Sequence, residues 1–243
     1  MNLIRTFPIL IIISVLMSCS VRAVLSRQST QGSDNPIPIA VVPFSWEGSD
    51  VLDEDIGEIV TADLQQVGEF RALSPSNMLA LPREEREVYY RDWSVLAQDY
   101  LLVGKVQRAP GSELIQVQYE FFDINREIKL AGEVLTGTTS QLRDIGHEIS
   151  NVVFELVTGT RGAFTTQILY IVSEFVSPEV SYFRLEKADY DGRRAQVLLE
   201  SREPIMSPSW SPNGQDIAYF LNDTATTEIY TQNIATGQRR QIT

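Results

Sequence analysis

The chain has 243 residues, of which 43% are hydrophobic and 21% charged, and its formal net charge is −12. This length and composition are typical of a globular protein with one or two domains rather than a disordered chain. Because contacts to phosphate need clustered lysine and arginine, the acidic balance argues against nucleic acid as a partner.

The first 23 residues are predicted to be a secretory signal peptide. Arg5 supplies the positive start, residues 7–17 are an apolar run, and Val21 and Ala23 are the small residues that precede a cleavage site. The run is too short for a stable transmembrane anchor. We therefore expect export, with cleavage between Ala23 and Val24.

The only cysteine, Cys19, leaves an alternative open for this N-terminus. The sequence Leu16-Met-Ser-Cys19 is similar to a bacterial lipobox, in which the cysteine becomes a lipidated N-terminus. Cleavage after Ala23 would instead remove this cysteine. Residues 24–36, which follow, are polar and are predicted to form an N-terminal arm.

Residues 37–163 are predicted to form an α/β domain of two layers, with a mixed sheet and two helices. An apolar run from Ile37 to Phe44 predicts a buried strand. Ser49 and Asp50 are predicted to cap the first helix, with the acids of residues 53–55 in its first turn and Gly68 at its end.

The second half of this domain is predicted to contain three strands and a helix. Residues 101–108 and 128–135 are two of these strands, and residues 116–121 between them alternate between apolar and polar side chains. The helix is predicted from about Gln141 to Thr158, with Gly159 as its C-cap. Its apolar face is predicted to contain Leu142, Ile145, Ile149, Val152, Val153 and Leu156.

Residues 164–243 are predicted to be the first part of an all-β propeller. A pattern of glycine, arginine, glutamine and a β-branched residue that begins at Gly192 recurs 45 residues later at Gly237. This period, with several short strands per unit, is typical of propeller blades, of which a ring needs about 4 to 8. The chain holds about 1.75 blades, so we expect it to be the front of a longer protein. The segment Phe220–Thr227 is the least blade-like part.

The sequence contains no motif of a catalytic, cofactor or metal site. It lacks a Gly-x-Ser-x-Gly elbow and a glycine-rich phosphate loop. His147 is the only histidine and is predicted to pack or form a hydrogen bond beside the second helix's apolar face. Asp189-x-Asp191 is predicted to lie in a turn between strands, and residues 83–87 are predicted to be a solvated charge run.

The ordered motifs of the chain resemble those of the TolB family, periplasmic components of the Tol–Pal envelope system. The resemblance rests on sequences spread through the chain, namely Pro38-Ile-Ala-Val-Val-Pro-Phe44, Glu54-Asp-Ile-Gly57, Asp99-Tyr-Leu-Leu-Val-Gly104, His147-Glu-Ile-Ser150, Arg161-Gly-Ala-Phe164, Asp189-Tyr-Asp-Gly192 and Met206-Ser-Pro-Ser-Trp-Ser-Pro-Asn-Gly214. It implies an α/β domain followed by a six-bladed propeller, no enzymatic activity and no cofactor. Asn151 stands where the family pattern suggests aspartate, which we interpret as a mild surface change.

The resemblance also implies partners and a location. Such a protein would be a periplasmic monomer that binds the lipoprotein Pal through its propeller and TolA through its N-terminal region. No Pal-contact residue can be assigned from this chain. The arm differs from the alternating Val, Ile and Arg pattern that we expect of the family. The alternative that these residues are a tail without a binding role therefore remains open. The residues that would carry TolA binding are Val24, Leu25, Ser26, Arg27 and Gln28.

A second class of function also remains open at this stage. The chain could be the N-terminal part of an exported hydrolase whose propeller gates a catalytic domain. A Gly-x-Ser-x-Gly elbow beyond Thr243 would favour this alternative, whereas further blades would favour the adaptor.

Overall fold

The computed structural model describes residues 35–48, 50–177, 180–222 and 227–242. The predicted signal peptide, Cys19, the cleavage site at Ala23 and Val24, and the arm up to residue 34 lie outside the described residues. Within the described ranges, no helix is both long and apolar enough to cross a membrane.

The first part of the chain forms a mixed six-stranded sheet with helices, as predicted. The strands are β1 (Ile37–Val41), β2 (Ser45–Trp46), β3 (Phe70–Ala72), β4 (Tyr100–Arg108), β5 (Ile115–Asp123) and β6 (Ile128–Gly137). Their order is β3-β1-β4-β5-β6, and β2 also pairs with β4. The β1 strand is parallel to β3 and β4, whereas β4, β5 and β6 form an antiparallel meander.

The described residues of this part contain three α-helices: α1 (Ile56–Gln66), α2 (Tyr90–Val95) and α3 (Leu142–Thr158). The α1 helix begins later than predicted, because Asp55 is its N-cap and accepts a hydrogen bond from the Glu58 amide at 3.0 Å. The prediction that Asp50 caps α1, with residues 53–55 in its first turn, is therefore wrong, and Ser49 lies outside the described residues. Gly159 ends α3 in the left-handed conformation, as expected of a glycine C-cap.

The main core lies between one face of the sheet and the pair α1 and α3. Alternate β5 residues Val117, Tyr119 and Phe121 point into it, as the alternation predicted. Burial raises the pKa of Tyr119 to about 12. The predicted apolar face of α3 is wrong at Leu156, which is 46% exposed. Phe154 packs in its place, against Phe70 and Phe164.

The opposite face of the sheet carries a smaller core around Trp93 of α2. On the same face of the sheet, the segment 83–87 makes polar contacts with side chains of β4 and β5. Lys105 donates to Glu84 at 3.0 Å, and the Glu85 amide donates to Glu120 at 2.5 Å. Arg83, Glu85, Arg86 and Glu87 are nevertheless exposed, as expected of a solvated charge run, and only Glu84 is partly buried.

The second part of the chain is all-β and forms two antiparallel sheets, as predicted. The first sheet contains β7 (Gln167–Ser177), β8 (Val180–Asp189) and β9 (Gln196–Ser201). The second contains β10 (Ile205–Trp210), β11 (Asp216–Asn222), β12 (Thr227–Asn233) and β13 (Arg239–Gln241). A shared core that includes Leu185, Ile217 and Tyr219 joins the two sheets.

The segment Phe220–Thr227 is more regular than the sequence indicated. Phe220 to Asn222 end β11, and Thr227 begins β12 and pairs with Asn222. These four residues therefore belong to paired strands of the second sheet, and the prediction for the segment as a whole stays a prediction. Residues 223–226 lie outside the described ranges.

Gly104 provides a test of the packing between the sheet and Phe44. A Cβ atom at Gly104 would lie 2.2 Å from the Phe44 ring and 2.7 Å from the Gln118 carbonyl oxygen. We expect Gly104→Ala to lower the free energy of unfolding by about 2 kcal/mol, because a packed core cannot absorb the added methyl group. Urea unfolding followed by tryptophan fluorescence measures this change.

Gly132→Ala is the matched control for this prediction. A Cβ atom at Gly132, on the edge strand β6, would meet its nearest neighbour, the Glu120 side chain, at an ordinary 3.4 Å. We expect its free energy of unfolding to change by less than about 0.5 kcal/mol. Equal losses in the two variants would contradict the packing described for Gly104.

Candidate functional site

The most elaborate polar site in the described residues lies where the β8–β9 turn meets α3. We call this contact the interdomain latch and define it by the turn residues Asp189–Arg194 and their partners on α3. Gly192 adopts a left-handed φ of 82° and donates to the Asp189 carbonyl at 2.8 Å. The Asp191 carboxylate accepts from the Arg193 amide at 3.0 Å. The turn therefore has hydrogen bonds of its own in addition to its contacts with α3.

Aromatic side chains form the apolar half of the latch. Phe164 is 1% exposed and belongs to the main core of the α/β part. Its ring meets Phe154 of α3 at 5.7 Å and Tyr190 of the turn at 5.6 Å, both edge to face. The Tyr190 amide donates to the Thr166 carbonyl at 2.9 Å. A residue from the all-β part thus closes the core of the α/β part.

Two arginines form the charged half of the latch. Arg143 of α3 is nine-tenths buried, pairs with Asp191 and donates to Glu54 at 3.2 Å. Arg194 of the turn donates to Asp189 at 2.5 Å and pairs with Asp144 of α3. The hydrogen bonds to Asp144 and Asp189 raise the pKa of Arg194. Each arginine joins a turn carboxylate to a carboxylate elsewhere in the fold.

His147 of α3 lies beneath this network and is 2% exposed. Its Nδ1 lies 2.7 Å from Oδ2 of Asp63, a buried residue of α1. The predicted hydrogen-bonding role of His147 is confirmed. Its Nε2 has no hydrogen-bond partner in the described part of the chain, and it lies 3.9 Å from Oδ2 of Asp191.

His147, Asp189 and Asp191 bring one nitrogen and two oxygen donors within 4.8 Å of one another. The two carboxylates are already bonded to Arg143 and Arg194. A cation would have to displace these guanidinium groups, or bind beside their positive charges. The cluster is therefore better described as an ion-pair network than as a metal centre.

Two family models match the two parts of this chain. Residues 28–130 match the TolB amino-terminal domain, and residues 154–243 match the TolB beta propeller domain. The chain belongs to the TolB family.

Individual relatives agree with this assignment. The chain is 42% identical over 229 residues to the Tol-Pal system protein TolB of Hahella chejuensis, covering 94% of this chain and 53% of that protein. The chain is also 41% identical over 228 residues to Pseudomonas aeruginosa TolB, covering 94% of this chain and 52% of that protein. The crystal structure of TolB from Acinetobacter baumannii superimposes with a TM-score of 0.75 at 29% identity, covering 88% of this chain and 51% of that one. The chain thus spans about half the length of the relatives it matches.

Asn151, where the resemblance to the TolB family suggests aspartate, is not a surface residue. It is 4% exposed, its side-chain oxygen accepts from the Phe164 amide at 3.1 Å, and its nitrogen donates to Thr165 at 3.1 Å. The interpretation of a mild surface change is therefore wrong. Asn151 ties α3 to the connection that leads into β7.

Sequence reasoning did not identify the latch, although a signal was present. Arg143, His147 and Asn151 follow one another at four-residue intervals, which places three polar side chains on one face of α3. All three are buried. The predicted cleavage and arm residues, Ala23 and Val24 to Gln28, lie outside the described residues, so their roles stay predictions.

The Asn151 contacts generate a test of how α3 holds the connection. We expect Asn151→Ala to lower the free energy of unfolding by about 2 kcal/mol, because the buried Phe164 amide would lose its acceptor. We expect Asn151→Asp to lower the free energy of unfolding by less than half as much at neutral pH, since a carboxylate still accepts a hydrogen bond from that amide. Chemical unfolding of both variants measures the difference, and equal losses would show that the acceptor is unimportant.

Proposed function

We propose that this chain is part of a non-enzymatic periplasmic adaptor of the Tol–Pal system. The observation that carries the proposal is the succession of a TolB amino-terminal domain and a TolB propeller segment in one chain. The matched relatives bear the name Tol-Pal system protein. The signal-peptide pattern at the N-terminus supports an exported location.

Within this proposal the two parts bind different partners. The propeller binds the lipoprotein Pal, and the N-terminal region binds TolA, as the family resemblance implies. The latch supports this proposal, because contacts of Arg143, Phe164 and Tyr190 join the α/β part to the all-β part. The two partners would then bind different parts of one connected structure.

The chemistry of the latch is that of a structural contact rather than a reaction centre. His147 has one nitrogen engaged by Asp63 and the other directed towards Asp191, with no serine, threonine or cysteine bonded to either in the described residues. A general base needs a proton to remove within hydrogen-bond reach. The neighbouring arginines pair with carboxylates across the contact, which favours a role in holding surfaces together.

The N-terminal arm supplies the test of the TolA part of the proposal. We expect deletion of residues 24–34 to weaken binding of the C-terminal domain of the cognate TolA by at least about tenfold. An extended segment can bind by adding a strand to a partner's exposed sheet edge, where backbone hydrogen bonds provide much of the affinity. Isothermal titration calorimetry of the exported protein with and without these residues measures the change.

A variant with the same arm residues in scrambled order is the matched control. It keeps the length and composition of the arm but moves Val24, Leu25 and Arg27 from their positions. Binding of Pal and the thermal unfolding temperature should be unchanged in both variants, because the deletion ends before β1. Unchanged TolA affinity after deletion would mean that the arm is only a tail, and failure to bind both TolA and Pal in the intact protein would overturn the adaptor proposal.

A further inference from the structure

The only histidine of the chain lies where three elements of the fold meet. His147 is on α3, its Nδ1 contacts Asp63 of α1, and its Nε2 faces Asp191 of the β8–β9 turn. The imidazole is 2% exposed. The docked turn therefore helps to shield Nε2 from solvent.

The charged groups around this ring are mostly acidic. The acids are Asp63 of α1, Asp189 and Asp191 of the turn, Asp144 of α3 and Glu54 of the loop before α1, and the bases are Arg143 of α3 and Arg194 of the turn. Four of these carboxylates share the two guanidinium groups, and the fifth, Asp63, contacts the imidazole itself. A positive charge on the ring would reduce this local excess of negative charge.

The unpartnered Nε2 distinguishes the two protonation states of the ring. With Nδ1–H donating to Asp63, a neutral imidazole presents the Nε2 lone pair to the Asp191 carboxylate 3.9 Å away. Neither atom can then donate, and Nε2 stays buried without a partner. A protonated imidazole presents an N–H to the same carboxylate, and a small movement of the turn would complete a charge-assisted hydrogen bond.

We propose that protonation of His147 stabilises the interdomain latch. Proton uptake by the ring strengthens the docking of the β8–β9 turn on α3, and proton loss weakens it. By linkage, a proton that binds the docked state more tightly than the undocked state favours docking at low pH. The contribution is present while the ring carries the second proton and is lost as the pH rises.

Hydrogen exchange of the turn tests this proposal on the whole protein. The amides of Tyr190 and Gly192 report docking and turn geometry, because they donate to Thr166 and Asp189. After correction for the intrinsic exchange rate, we expect about tenfold more protection of these amides at pH 5.5 than at pH 8.0. Amides of the β11–β12 hairpin, distant from the ring, serve as the internal control and should show the same corrected protection at both pH values.

His147→Gln removes the titrating group while leaving an amide that can donate to Asp63. We expect the corrected protection of the turn to become independent of pH in this variant. Asp191→Asn is the second variant, in case the first fails to fold: it keeps the bond between His147 and Asp63 but removes the carboxylate that faces Nε2. It should reduce the pH dependence to less than threefold.

A second readout links the change to the histidine itself. His147 is the only histidine of this chain, so in protein made without a histidine tag a ¹³C-histidine label gives an NMR signal from this residue. If a longer chain contains other histidines, the signal of each is assigned by substituting that residue. We expect the pH at which this signal moves to coincide with the pH at which turn protection changes. Turn protection that does not vary with pH in the native protein, or that varies equally in His147→Gln, would overturn the proposal.

Discussion

The docking of one hairpin turn on one helix is the contact on which the arrangement of this chain depends. The Asp189–Arg194 turn belongs to an all-β sheet, yet Tyr190 packs on Phe164, which is buried in the core of the α/β part. Phe164 lies only three residues before β7 begins. The apolar contact and the chain connection therefore act at the same place, and they restrict how the two parts can be placed relative to each other.

Charge makes this contact specific. Removing Arg143 and Asp191 from water has an unfavourable desolvation energy, which their attraction offsets only when the two groups meet in good geometry. A displaced turn would leave Arg143 buried without that partner. Arg194 repeats the arrangement closer to solvent, since its partner Asp144 is half exposed. The apolar contact attracts without a preferred direction, while the ion pairs select one docked position.

The larger elements could be predicted from the sequence because their patterns extend over many residues. The alternation in β5, the helical period in α3 and the repeat from Gly192 to Gly237 each indicated the observed structure. The β2 and β3 strands and α2 were not predicted, because segments of two to six residues are too short to show a period. The predicted start of α1 was wrong because several capping residues precede the helix, and the structure has Asp55 as the N-cap.

The latch could not be predicted for a different reason. Arg143 and Asp191 are 48 positions apart, and neither belongs to a motif that names the other as its partner. The four-residue spacing of Arg143, His147 and Asn151 on α3 does not identify what covers these side chains. Asn151 was placed at the surface because asparagine is usually exposed, whereas here the connection to β7 folds over it.

A double-mutant cycle between Arg143 and Asp191 tests the central claim most directly. Arg143→Met, Asp191→Asn and the double variant, compared by their free energies of unfolding, give the coupling energy of the pair. The buried latch predicts about 2 kcal/mol of coupling. The exposed pair Arg108 and Asp50, whose side chains are 40% and 46% exposed, should give less than about 1 kcal/mol in the same experiment. Coupling at the latch no larger than at this surface pair would contradict the account.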